Sequence, residues 1–200
     1  MILSDQEISK LVQSNNLIEN FVETNLQAAS YDVSAGSQVQ IFNRVQGILD
    51  LRDKSVISMT NKEVDLNYGY QMMPGEYILV KTKEILHMTD DLIAYVKPRT
   101  TFSRIGLLLT EQYVNPSFEG YLYLGLHNIS PNVIKIVSGL KIGHIFFEKV
   151  QGNISSNLLY RNKPDAKYQN ENSFINPRID EFNEEYKQEY NRLMNKLMGA

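Results

Sequence analysis

From about residue 16 to residue 160 the chain is a succession of short β-rich runs cut by turn residues, and that spacing leaves few folds open. The clearest run is Tyr121-Leu122-Tyr123-Leu124-Gly125-Leu126-His127-Asn128. Side chains alternate along a strand, so Leu122, Leu124 and Leu126 share one face and Tyr121, Tyr123, Gly125 and His127 the other. Residues 29–36 form another run, with Gly36 as its turn glycine, and 77–81, 133–137 and 142–150 are further ones. Met73-Pro74-Gly75-Glu76, Ser130-Pro131-Asn132 and Ser138-Gly139 are the turn signals. This pattern predicts a mainly β fold, a sandwich or distorted barrel.

The ends are helical. Ser4-Asp5-Gln6-Glu7 is a capping box, and Ile8, Leu11 and Val12 follow at helical spacing, predicting a short amphipathic helix that ends near Asn15-Asn16. Residues 161–178 are polar and irregular, with two prolines. Over 179–198, Phe182, Tyr186, Tyr190, Leu193 and Leu197 make one apolar stripe on a charged helix. That stripe suits packing on its own domain or contact with another protein. The expected organisation is a domain over 1–180 and a helical extension over 181–200.

With 42% hydrophobic residues the chain can build an ordinary core. Its net charge of −3 argues against a nucleic-acid polymer or an anionic membrane as partner, since both require a basic excess. The absence of cysteine excludes disulfides, thiolate catalysis and the Cys-ligated zinc of zinc deaminases. His87, His127 and His144 show no ligand spacing, so no metal site built by protein alone is expected. No signal peptide is read at Met1-Ile2-Leu3, and no apolar run approaches the ~20 residues that span a bilayer. A cytoplasmic protein is expected.

Arg99-Thr100-Thr101-Phe102-Ser103-Arg104-Ile105-Gly106 sets two arginines around three hydroxyls, which is how proteins hold phosphate oxygens. The turn Asn115-Pro116-Ser117-Phe118-Glu119-Gly120 follows. Together they resemble the nucleotide-binding segment of the dCTP deaminase/trimeric dUTPase family, where Arg-Ser-Ser-x-x-Arg-x-Gly precedes an Asp-Pro-Gly turn. The resemblance, to the dCTP deaminase branch, covers most of the chain. Ile2-Leu3-Ser4-Asp5 resembles the family's opening, and Ala29-Ser30-Tyr31-Asp32-Val33 with Gly36 and Pro74-Gly75-Glu76-Tyr77-Ile78-Leu79 with Glu84 are similar to family strands. Gly139-Leu140-Lys141-Ile142-Gly143 resembles the family's later Gly-hydrophobic-x-Ile-Gly turn, and Tyr160, Asp165-Ala166-Lys167-Tyr168 and Arg178-Ile179-Asp180 resemble its C-terminal segment that folds over the phosphates.

The resemblance implies a dUTPase-like β fold, a homotrimer with sites between subunits, and a deoxypyrimidine triphosphate (dCTP, dUTP or dTTP) that arrives with magnesium. By position, Thr100, Thr101 and Arg104, with Arg99, contact phosphate or help place the reacting water. Thr110, Gln112 and Asn115 line base and sugar. Tyr160, Lys167, Tyr168 and Glu171 sit near the triphosphate or close over it. Read from the residues alone, Asp32 is a turn or sheet-edge hydrogen bonder. His144, at a position that is often Gln in the family, packs in or at the edge of a strand.

Three positions depart from the family. Its general acid/base glutamate, three residues before the strand-ending Asn, is Gly125 here. Its sugar-binding aspartate is Asn115, a neutral amide and a poor base, and its tail Gln is Glu171. A carboxylate beside a triphosphate is repulsive unless a cation or Lys167 offsets it. Either Glu119, Glu111 or His127 supplies the missing proton transfer, or activity is lost or changed and the protein binds nucleotide as a regulatory or interaction subunit. The residues lean towards lost or altered catalysis. A dUTP diphosphatase is a further alternative.

Overall fold

The computed structural model describes residues 1–44, 46–51 and 61–177, together with residues 188, 192, 193, 195 and 196. Those last five are helical. The rest of the helix expected over 179–198, most of its apolar stripe and the 180/181 boundary lie outside the described residues. Two units are distinguished: residues 1–42 with 62–174, and residues 43–61 with 175–200. In the second, Ile48, Leu49 and Leu51 are exposed, and Asn61 Nδ2 donates to Asn176 Oδ1 at 3.3 Å.

The first unit opens with α1 (Asp5–Asn15). Ser4 Oγ accepts from the Glu7 N–H at 3.4 Å, and Asn16 ends the helix in the left-handed conformation, as the capping box and the asparagine pair lead one to expect. Ile8 is fully buried, and Leu11 and Val12 pack against the core beside it.

The strands are β1 (Ile18–Glu19), β2 (Leu26–Gln27), β3 (Ser30–Phe42), β4 (Asn61–Asp65), β5 (Tyr70–Met72), β6 (Tyr77–His87) and β7 (Leu92–Pro98). After the short helix α2 (Thr100–Arg104) come β8 (Leu107–Leu109), β9 (Gln112–Val114), β10 (Glu119–Asn128), β11 (Ile134–Ile136) and β12 (Lys141–Lys149). Ten strands form one curled sheet in the order β8-β10-β6-β3-β12-β7-β9, with β1 on β6 and both β2 and β4 on β3. β5 and β11 make a separate pair. The expected mainly β architecture is what forms. Turns fall where proline and glycine put them. Glu76 N donates to Met73 O at 3.1 Å with Gly75 at φ 78°, and Leu140 N donates to Val137 O at 3.3 Å with Gly139 at φ 80°.

Two expectations need correction. Gly36 is not in a turn: β3 runs straight through it, pairing with β12 as far as Ser34 and with β6 from Ala35, and the register shifts between Ala35 and Val39. A Cβ on Gly36 would lie 2.9 Å from Thr82 O, so the glycine permits a close approach of two backbones where β3 changes partner. Asp32 is not at a turn or sheet edge either. It is 3% exposed, in the interior strand β3, opposite His144 of β12. Its Oδ1 bonds His144 Nδ1 at 2.6 Å and Lys141 Nζ lies 3.7 Å from Oδ2, so a buried carboxylate is met by neighbouring-strand groups. His144 is half-buried within β12.

The core includes Tyr31, Phe147, Leu17, Ile78, Leu92 and Leu124, all fully buried. Where β3 changes partner sits Glu84, 1% exposed, which accepts from Ser34 N–H at 2.9 Å and from the Tyr31 hydroxyl at 3.5 Å. Burial pushes the Glu84 carboxyl above its ordinary value and the Tyr31 phenol up to about 12.

Candidate functional site

β10 organises the site. Its leucines face the core, with Leu122 6% exposed and Leu124 and Leu126 fully buried, so Tyr121, Tyr123, Gly125 and His127 look the other way. Asn128 ends the strand. Its Nδ2 donates to Met72 O at 3.0 Å and Asn132 O at 2.8 Å, and its Oδ1 accepts from Ser130 N–H at 3.0 Å.

At the far end of β10, Gly125 N–H donates to Thr110 Oγ1 at 3.1 Å, and Thr110 N–H donates to Gly125 O at 2.9 Å. The neighbouring Gln112 side chain donates to Tyr123 O at 2.5 Å. Of the three candidate proton-transfer groups, only His127 stands here, its ring centroid 6.4 Å from that of Tyr77. Glu119 is six residues up the strand, about 20 Å away at ~3.3 Å per residue, and shares His87 with Glu19. Glu111 is exposed and ion-paired to Lys97.

α2 carries the arginine–hydroxyl group. Thr100, Thr101, Ser103 and Arg104 are exposed, while Phe102 anchors the helix at 6% exposure. Arg99 is half-buried and donates to Lys141 O at 3.0 Å, so part of its role is to tie α2 to β12. Gly106, at φ 76°, ends the motif. A Cβ there would lie 2.9 Å from Ser130 Cβ, and Gly106 O accepts from Ile129 N–H at 2.9 Å.

At the near end of β10, Phe118 N–H donates to Asn115 O at 3.2 Å, closing a turn whose third residue, Ser117, has φ 63°. That conformation favours glycine, and a non-glycine there costs about 1–3 kcal/mol. The buried Ser117 is held by its partners: Oγ accepts from Arg161 N–H at 3.1 Å and O accepts from Gln169 Nε2 at 3.2 Å. Tyr160 N–H donates to Pro116 O at 3.2 Å, and its ring packs 5.8 Å from Phe118. The Tyr160 hydroxyl accepts from the N–H groups of Lys167 and Tyr168 at 3.1 and 3.0 Å. Glu171, 6% exposed, accepts at its backbone O from Tyr121 N–H at 3.3 Å and bridges to Gly120. Lys81 Nζ lies 4.0 Å over the Tyr121 ring and donates to Asn172 O at 2.6 Å, and Phe174 packs on Tyr123. Within one chain, then, the tail is fastened to the start of β10.

The sequence motifs contain Tyr77 and Ser117 without giving either a role, and they leave out Gln169 and Arg161. Tyr77, Ser117 and Gln169 make contacts that depend on strand register and tail docking. Arg161 forms a two-pronged ion pair with Asp90, and this guanidinium holds the Asp90 carboxyl below its ordinary value. Glycine within a strand was the one available signal for Tyr77, since such a glycine usually marks a close approach. Among the described residues, no group of three or more His, Asp or Glu side chains is placed to hold a metal, and no helix is long and apolar enough to cross a membrane.

Residues 2–150 match the family model described as dCTP deaminase-like. A dCTP deaminase, dUMP-forming, from Persephonella marina is 30% identical over 153 residues, covering 76% of this chain and 85% of that protein. The protein of the same description from Hydrogenobaculum sp. is 32% identical over 152 residues, covering 75% of this chain and 83% of its own length. Among solved structures, 2'-deoxycytidine 5'-triphosphate deaminase from Agrobacterium tumefaciens superposes with a TM-score of 0.60 at 22% identity, covering 74% of this chain and 48% of that one. This last likeness concerns the fold. The match over residues 2–150 and these relatives make this chain a member of the dCTP deaminase-like family.

Proposed function

We propose that the protein binds a pyrimidine deoxynucleoside triphosphate with magnesium, and that hydrolytic deamination of dCTP is lost or altered in it. One observation carries the second half: position 125 has no side chain, and the volume above it belongs to Tyr77. Deamination at C4 needs a group that takes a proton from water and returns one to the leaving amine, and a glycine does neither.

The exposed hydroxyls of Thr100, Thr101 and Ser103 beside Arg104 support the binding half. In this reading Arg104, Thr100 and Thr101 take phosphate oxygens, Arg99 positions them, and Thr110, Gln112 and Asn115 face base and sugar. Tyr160, Lys167, Tyr168 and Glu171 form the closing segment. Magnesium comes on the phosphates, because guanidinium and hydroxyl groups suit phosphate oxygens better than a cation. Copies associate as a trimer with sites between them, and the exposed Ile105, Leu108 and Ile129 offer apolar surface for that contact.

The test pairs calorimetry with chromatography of dCTP or dUTP incubated with protein and magnesium. The expected result is binding heat with both nucleotides recovered intact. Arg104→Ala should weaken binding by roughly 10-fold or more, the weight of a charged hydrogen bond. No heat from dCTP, dUTP or dTTP would sink the binding half. Conversion of dCTP to dUTP or dUMP would overturn the catalytic half and make His127 the first residue to replace. Conversion of dUTP alone would instead make it a dUTP diphosphatase.

A further inference from the structure

Gly125 is empty on a strand face whose other members are Tyr121, Tyr123 and His127, and the emptiness is filled from the next strand. Tyr77 of β6 pairs with His127 of β10 while Gly125 pairs with Leu79, which puts Tyr77 one diagonal step from the glycine. A Cβ on Gly125 would overlap the Tyr77 hydroxyl and lie 2.7 Å from its Cζ and 2.6 Å from Thr110 Oγ1. Neither neighbour yields cheaply. The Tyr77 ring is packed between Phe42 and His127, at 5.5 and 6.4 Å between ring centroids. The Thr110 hydroxyl is bonded to the Gly125 N–H. Tyr77 is also more than buried filler. It is 37% exposed, and its hydroxyl makes no hydrogen bond to a described residue.

We infer that Tyr77 seals the Gly125 position and is the group this site presents to a pyrimidine edge in place of a carboxylate, so that 4-amino and 4-oxo pyrimidine nucleotides bind alike. The ligand half rests on the nucleotide reading above; the packing half does not. A carboxylate only accepts hydrogen bonds, so it suits the amino group of cytosine and repels the carbonyl of uracil or thymine. A phenol hydroxyl accepts from the first and donates to the second. A glutamate restored at 125 would have to displace an aromatic ring first.

Two measurements separate the halves. Melting curves of Gly125→Ala, Tyr77→Ala and the double variant test the packing. Gly125→Ala should lower the melting temperature by about 2–8 °C in the wild-type background, and the loss should shrink once Tyr77 is alanine, leaving only the part that the Thr110 hydroxyl imposes. Equal losses in both backgrounds overturn the seal. Calorimetry with dCTP and with dUTP, each with magnesium, tests the ligand role. The wild type should bind the two within about 10-fold of each other, and Tyr77→Phe should weaken both by about 3- to 10-fold, the weight of one neutral hydrogen bond. Unchanged affinity in Tyr77→Phe, or a wild-type preference beyond that range, overturns the ligand role. No binding of either nucleotide to the wild type defeats the nucleotide reading and the ligand role together, and leaves the melting curves to decide the seal.

Discussion

The two ends of β10 are closed in different ways. At the far end a side chain from β6, Tyr77, fills the space over Gly125. At the near end a backbone closes it: Glu171 bridges to Gly120 and accepts from Tyr121 N–H, and Asn172 O accepts from Lys81. Both ends carry a glycine, for different reasons. Gly125 yields volume to a ring. Gly120 has φ 140°, where L side chains are strained, and a Cβ there would lie 3.1 Å from Glu171 N. The same residue type thus reports a side-chain neighbour at one end and a backbone conformation at the other.

The largest effect expected is one that breaks both ends together. Leu124 lies fully buried beneath them, and Leu124→Ala should cost about 2–5 kcal/mol by urea unfolding. A smaller loss would mean the strand is held by its outer face more than by its core. Next comes Gly120→Ala, expected to cost about 1–3 kcal/mol through backbone strain. That cost should be the same whether residue 77 is Tyr or Ala, in contrast to Gly125→Ala. Rescue of Gly120→Ala by Tyr77→Ala would erase the distinction between the ends.

Ser117→Ala keeps the positive φ and removes the oxygen that accepts from Arg161 N–H, so it should cost about 1–2 kcal/mol. Because that contact fastens the tail, trypsin should cut faster after Arg161 or Lys167 in the variant. Unchanged cleavage would show that Gln169 and Tyr160 hold the tail without it. The smallest effect belongs to Glu84, bonded to the Ser34 N–H where β3 changes partner. Its folded-state value is raised by burial, so the neutral form favours the fold. Its contribution is complete below the ordinary glutamate value and is lost as pH climbs through the raised one. Glu84→Gln should therefore gain melting temperature relative to the wild type as pH rises from acid to neutral. A difference that stays flat with pH would remove the carboxyl from the account.

Much of this was legible in the residues. Alternation along 121–128 located β10 and its buried face, and Ser4 with Glu7 located the start of α1. Pro74-Gly75 and Ser138-Gly139 marked their turns, because the φ preferences of proline and glycine are local. Arg99 to Arg104 announced a phosphate-like chemistry by residue type, and Gly125 announced a missing carboxyl. Gly36 was misread because a glycine serves a turn and a close strand approach equally well, and only the Thr82 carbonyl beside it decides. Asp32 was misplaced because nothing in its neighbours says that β12 pairs alongside it and sets His144 opposite.

The sequence by itself determined α1, the buried face of β10, several of the other strands, the family and the chemical types at the site, since each follows from local preference or from motif order. Only the tertiary structure decided what stands over Gly125 and what holds the tail. Those contacts join residues 48 and 44 positions apart, Tyr77 to Gly125 and Ser117 to Arg161. They exist in one strand register alone, because a one-residue slip would turn every side chain of β10 to the opposite face.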